Sequence, residues 1–223
     1  VWKIVLDVVS PKRLIEEFSL TRLPFDPEPS YNVAPTQKVV AVRQSHGERE
    51  AVQMKWGLLP FWAKDESQAA KMINARCESI EDKPAFRSAF RSRRCLIPAS
   101  GFYEWQKLGG EKLPYHFSLK DKDIFAFAGL WEQWRNANRE VVETCTIITT
   151  EPNQLLANFH NRMPVILHSD SYREWLDDET RDLSLLKELL RPYPAEDMVH
   201  WPVGKAVGSV KNQGSELARS IAT

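Results

Sequence analysis

Four stretches of the chain hold side chains able to do acid–base or recognition chemistry: Asn32, the run Asn74-Ala-Arg-Cys-Glu78, Glu104, and the run His160-Asn-Arg162. At 74–78 an amide, a guanidinium and a carboxylate fall within five residues. Taken alone, that run reads first as an ordinary loop salt bridge, because such pairs are common. Glu104 lies in Ser100-Gly-Phe-Tyr-Glu-Trp105, where strand alternation puts Phe102 and Glu104 on one face and Tyr103 and Trp105 on the other. If the Phe102 face points inward, desolvation raises the carboxylate pKa and makes Glu104 a general acid or base. If it points outward, Glu104 is a surface carboxylate. His160 sits in the polar junction Phe159-His-Asn-Arg-Met-Pro164, where an imidazole could move a proton near neutral pH, although capping is the commoner job of a lone histidine. His46, His116, His168 and His200 lack such neighbours and are assigned no role.

A nucleic-acid surface has its own candidates. Lys83, Arg87, Arg91, Arg93 and Arg94 gather around one expected helix, and Trp56, Phe61, Trp62 and Trp105 supply rings. Single-stranded nucleic acid is held by cations that follow its backbone and by rings on which unstacked bases lie. The same residues also fit a solvated helix face and a set of core tryptophans, and spacing alone does not separate the two readings.

The elements that must position these groups are short. Ser10-Pro11 followed by Leu14, Ile15 and Phe18 reads as an N-cap, a first-turn proline and an apolar helical stripe. Four prolines in residues 23–35 forbid a continuous helix or central strand and predict an ordered extended loop. Strand-like runs rich in β-branched and aromatic residues follow at 38–42, 51–56, 94–97, 101–106, 115–119, 124–131, 144–150 and 164–167, with Gly109-Gly110 as a hairpin turn. Short helices are expected at 84–91, 152–159, 170–176 and 180–190. Without βαβ alternation, the expected fold is α+β: a mostly antiparallel β-sheet, with barrel closure as one option, and short peripheral helices. One domain spanning residues 1–223 suits this length.

Composition excludes several classes. Lys plus Arg and Asp plus Glu both total 30, so any DNA surface must be a local patch. The longest apolar stretches, such as 124–130, fall far short of the roughly 18 to 20 residues that cross a bilayer. Residues 1–9 lack the basic region and small-residue cleavage site of an export signal, which makes the cytoplasm the expected compartment. Cys77, Cys95 and Cys145 are odd in number and widely spaced, which speaks against disulfides and a zinc site, and neither metal nor cofactor is expected.

Six ordered stretches then share a pattern: Tyr31-Asn-Val-Ala-Pro35, Trp56-Gly-Leu-Leu-Pro60, Ile73-Asn-Ala-Arg76, Pro98-Ala-Ser-Gly-Phe-Tyr-Glu-Trp105, Phe159-His-Asn-Arg-Met-Pro164 and Val210-Lys-Asn212. Together they resemble the SRAP family of abasic-site-processing proteins, which act on single-stranded DNA. The resemblance implies that Asn74, Glu104 and His160 border the active pocket. It also implies that Arg76 and Arg162 contact DNA phosphate, that Trp62 and Trp105 lie near unstacked bases, and that Asn32 helps shape the pocket. In that family a cysteine exposed by loss of the initiator methionine captures the abasic aldehyde, first as a Schiff base through its α-amine and then as a thiazolidine through its thiol. Self-cleavage of the N-terminal methionine and a lyase side reaction belong to the same implied chemistry. The implied partner is single-stranded DNA containing abasic sites, bound by a monomer associated with the nucleoid.

Residues 1–9 depart from that pattern. An ungapped alignment on Ser10-Pro11 puts Trp2 where the family has its cysteine, with Lys3 and Ile4 where it has glycine and arginine. Two explanations stand: a divergent member, or a foreign start joined to a normal body, and the abrupt onset of the match favours the second. If Val1 carries the terminal amine, an imine could still form there, but no thiazolidine could close. The other classes to set against abasic-site processing are a noncatalytic module for single strands or junctions, and a Cys/His hydrolase pairing Cys77 or Cys95 with His160.

Overall fold

The computed structural model describes residues 2–7, 10–180 and 182–221, so Val1, Val8 and Val9 of the divergent start lie outside the described residues. In chain order the strands are β1 (Lys3–Leu6), β2 (Ser30–Val33), β3 (Lys38–Ser45), β4 (Glu48–Trp56), β5 (Asn74–Arg76), β6 (Arg94–Ala99), β7 (Gly101–Leu108) and β8 (Glu111–Leu119). They continue with β9 (Phe125–Arg135), β10 (Val141–Thr150), β11 (Met163–Pro164), β12 (Ile166–Leu167) and β13 (Met198–Pro202). The α-helices are short: α1 (Pro11–Phe18), α2 (Arg87–Ser92), α3 (Tyr172–Leu176) and α4 (Leu183–Glu188).

Barrel closure is realised. Strands β10, β4, β3, β6 and β9 pair in that order, and β9 pairs back onto β10 over residues 129–135, which leaves no free edge in the ring. All contacts in the ring are antiparallel except β4 with β10. A second, five-stranded antiparallel sheet runs in the order β13-β8-β7-β1-β2. Trp56, Cys95, Ile97, Phe127, Cys145 and Ile147 share a buried core with Trp2, Ile4, Phe102 and Phe117 of the second sheet. A second core places α1 and α3 against the barrel through Phe18, Tyr172 and Trp175.

The turn from β6 into β7 carries the chain from the barrel into the second sheet. Its pivot is Ser100, whose N–H donates to the Val5 carbonyl at 2.8 Å and whose Oγ accepts from the Asp7 N–H at 3.1 Å. Gly101 is required beside it, because a Cβ there would stand 2.3 Å from His116 Nε2 and 2.8 Å from the Phe117 carbonyl. The divergent start is thus an interior strand of the second sheet, flanked by β7 and β2, with every residue of Lys3–Leu6 buried.

Several local expectations need correction. The proline-rich loop at 23–35 contains strand β2 after its last interior proline, where Ser30–Val33 is free to pair. The helix expected at 152–159 is only a 3-10 turn at Leu156–Asn158, with Asn153 accepting the Leu156 N–H and donating to the Tyr193 carbonyl. Strands β1 and β13 were not expected from local pattern. Lys3 interrupts the apolar run of the first, and the second is an edge strand carrying His200 and Pro202.

Candidate functional site

The site forms where the second sheet meets the end of the barrel. Strand β7 delivers Glu104. Strand β10 holds β5, with Asn74 opposite Ile147 and Arg76 opposite Thr149, and also holds β11, whose entry loop carries His160 and Arg162. Strand β1 delivers Trp2 from the residue just before it.

Trp2 is buried and sits at the centre of this convergence. Its ring centroid lies 6.5 Å from His160, nearly edge-on at 76°, and 6.4 Å from Phe102. Both faces of β7 turn out to be covered, Glu104 and Phe102 on one and Tyr103 on the other. Glu104 Oε1 accepts the Trp105 N–H at 3.0 Å, whereas Oε2 is buried without a well-formed hydrogen bond among the described residues. Desolvation pushes its pKa above the ordinary carboxylate value, and the Trp105 N–H, His160 and the Trp2 side chain only partly oppose it. His160 itself is exposed, and its Nδ1 accepts the Arg162 N–H at 3.1 Å. The same Nδ1 lies 3.3 Å from the Arg162 carbonyl.

Two clefts share His160 and Asn161. One, of about 700 Å³, is bordered by Lys3, Glu104, Trp105, Phe159 and Gly208. The other, of about 450 Å³, is bordered by Trp2, Asn74, Arg76, Lys83, Thr149 and Arg162. Asn74 Oδ1 is buried without a hydrogen-bond partner among the described residues, an acceptor at the second cleft. Arg76 is exposed there and makes no ion pair among the described residues. Arg162 does not match it, because its guanidinium grips Glu78 through two bonds of 2.6 Å and also donates to the Thr149 carbonyl. The pair holds the Glu78 pKa down at about 2.

Other candidates fall elsewhere. Asn32 is fully buried, and its amide nitrogen donates to the carbonyls of Val207, Ser209 and Asn212, which anchors the C-terminal segment that brings Gly208 to the first cleft. Trp62 is half exposed beside Phe61 but borders neither cleft, whereas Trp105 borders the first. Trp56 is core, its indole N–H held by the Ile73 carbonyl. The expected arginine cluster shrinks: Arg94 is buried against the carbonyls of Phe90, Arg91, Trp175 and Asp177, and Arg93 pairs with Glu132. Lys83, Arg87 and Arg91 remain exposed.

Among the described residues no hydrogen bond joins a thiol to His160; Cys95 and Cys145 are buried in the core and Cys77 is half-buried, and burial raises all three thiol pKa values, which speaks against a Cys/His hydrolase. Among the described residues no cluster of histidines, cysteines and carboxylates could hold a metal, and no helix is long and apolar enough to cross a membrane. Lys3, Thr149 and Asn161 border the clefts without having been singled out. Only Asn161 carried a local signal, its place between His160 and Arg162.

The fold and site together define an α+β protein with a closed barrel, in which a buried carboxylate, an amide and an imidazole meet at clefts edged with cations. The family model described as SOS response associated peptidase (SRAP) matches residues 4–210, and the chain belongs to that family. Trp2 and Lys3 precede the matched span. The abasic site processing protein YoqW of Bacillus subtilis is 44% identical over 212 residues, covering 93% of this chain and 94% of its own length. The abasic site processing protein YedK of Escherichia coli is 30% identical, with 89% of each chain covered. Among solved structures, a protein from Bacteroides thetaiotaomicron superposes with a TM-score of 0.76 at 29% identity, covering 84% of this chain and 82% of its own.

Proposed function

We propose that this chain binds single-stranded DNA at abasic sites and holds the ring-opened sugar in the clefts that share His160, acting as a single-domain monomer. The observation that carries the reading is the convergence of the buried Glu104 carboxyl with His160 and Trp2 at one site. A carboxyl whose pKa is raised stays protonated to higher pH, which suits it to give a proton to the departing hydroxyl of a carbinolamine. Asn74 offers a buried acceptor for an amine or hydroxyl donor, and Arg76 with Lys83 offers charge to the flanking phosphates. The names of the relatives supply the substrate class.

Trp2 offers no thiol at the position that the resemblance gives to the cysteine, so no thiazolidine closes through residue 2. That loss supports, as a second reading, a binding module that shields abasic sites without a lasting covalent bond. The test is a fluorescence titration at one ionic strength with abasic single strands, intact single strands and intact duplex. Tightest binding to the abasic strand is expected, and equal affinity for all three refutes the proposal.

A further inference from the structure

Trp2 is only 5% exposed, yet it borders the second cleft together with Asn74, Arg76 and His160. Its ring centroid stands 6.5 Å from His160, and its one polar atom, the indole N–H, is directed to Glu104 of the first cleft. The ring therefore lies where the two clefts come together at His160. Behind it stands Phe102, which stacks on Phe117 at 5.3 Å and meets Phe127 edge-on at 5.8 Å. All three phenyl rings are buried, so this back wall is fixed, and a site with fixed walls collapses little when a side chain is removed. Trp2 fills a slot that has the shape of a flat ring system. Indole and purine share the same fused bicyclic frame, which makes the slot the size of a nucleobase.

Resting on the abasic-site reading above, we propose that Trp2 determines the selectivity of the site by occupying the place of the missing base. A base is bonded directly to C1′ of its sugar, so it lies within its own ring width of that carbon. With the sugar against Glu104 and His160, an intact nucleotide must put its base into the space beside those two groups. Trp2 already fills that space. A nucleotide without a base meets no clash there, and its flanking phosphates reach Arg76 and Lys83 at the same cleft. The discrimination works by excluding the wrong nucleotide rather than by adding contacts to the right one. It rests on shape and requires no bond to the aldehyde.

The experiment measures fluorescence anisotropy with single strands that are intact, or that carry at one position either a natural abasic site or a tetrahydrofuran residue, a baseless sugar with no aldehyde. The unaltered protein is expected to prefer the tetrahydrofuran strand to the intact strand. Trp2→Ala, checked for a cooperative thermal transition, opens the slot to a base. The ratio of the two affinities is expected to fall by about 5- to 150-fold, the worth of one stacked base, through a gain for the intact strand. Trp2→Leu, which keeps apolar packing but no ring, is expected to move the ratio the same way. An unchanged ratio in a folded variant overturns the proposal and leaves Trp2 as core packing. A ratio that falls only because the tetrahydrofuran strand binds more weakly also overturns it, since Trp2 is then a contact for the sugar. The unaltered protein decides the matter even if both variants fail to fold: preference for the natural abasic site without preference for tetrahydrofuran ties selectivity to the aldehyde and refutes exclusion. Absence of any abasic preference is a separate outcome that removes the parent reading and this one with it.

Discussion

Arg76 and Arg162 border the same cleft, and the proposed DNA contact predicts that they behave differently. Arg76 presents a guanidinium with no ion pair among the described residues, whereas Arg162 is neutralised by Glu78 through two bonds of 2.6 Å. With its pKa at about 2, Glu78 stays ionised at every pH used for binding. Each phosphate neutralised on a single strand contributes about 0.7 to the slope of log K against log salt. Arg76→Ala is therefore expected to make the slope shallower by about 0.7, which over a change from roughly 50 to 200 mM salt alters the affinity ratio by about 2.6-fold. Arg162→Ala removes a charge that is already cancelled and is expected to leave the slope nearly unchanged. Glu78→Gln frees that charge and is expected to steepen the slope, by up to about 0.7. Fluorescence anisotropy with an abasic single strand across the salt series measures all three. If Arg162→Ala flattens the slope as much as Arg76→Ala does, the ion pair opens on binding and the reasoning fails.

Two further predictions concern the sheet behind the site. Burial lowers the His116 pKa to about 4, with Asp7 only partly opposing it, so the unfolded chain binds the extra proton first. The stability tied to a neutral His116 is present above about pH 6.5 and is lost as pH falls through 4, amounting to about 3 kcal/mol. Urea midpoints across that window are expected to fall less in His116→Asn, and an identical fall in both proteins contradicts the assignment. Gly101→Ala places a methyl 2.3 Å from the His116 ring and 2.8 Å from the Phe117 carbonyl, and is expected to cost about 1 to 3 kcal/mol. An unchanged thermal midpoint would show that the ring moves aside freely.

Much of the fold was legible because it rests on local pattern. Alternating β-branched and aromatic residues marked most strands of the barrel, and Gly109-Gly110 marked the hairpin between β7 and β8. Barrel closure depends on β9 returning to β10 and on the parallel contact of β4 with β10, which no short window contains. The site divides the same way. The alternation through Ser100-Gly-Phe-Tyr-Glu-Trp105 correctly paired Glu104 with Phe102, but local pattern left the direction of that face open, and the structure buries both faces. Arg94 and Trp56 looked available for DNA, and Asn32 for the pocket wall, because their partners are distant in sequence: Asn32 reaches 207–212, Arg94 reaches Trp175 and Asp177, and Trp56 reaches Ile73. Lys3 was noted only as a departure from the family pattern. Its environment comes from carbonyls more than two hundred residues away.

The central claim is that the body of the site is intact and that residue 2 decides its chemistry. The most direct measurement compares this chain with a variant that lacks Val1 and carries Trp2→Cys, so that the cysteine is terminal with a free α-amine, together with Lys3→Gly, which restores the glycine of the family pattern. Both are incubated with abasic single-stranded DNA without borohydride and run on a denaturing gel after heating, with a cooperative thermal transition as the check on folding. A heat-stable crosslink is predicted for the cysteine variant alone, and Glu104→Gln in that background is predicted to slow it by about a hundred- to ten-thousand-fold. A heat-stable crosslink formed by the unaltered chain, or none formed by the folded cysteine variant, would contradict the account.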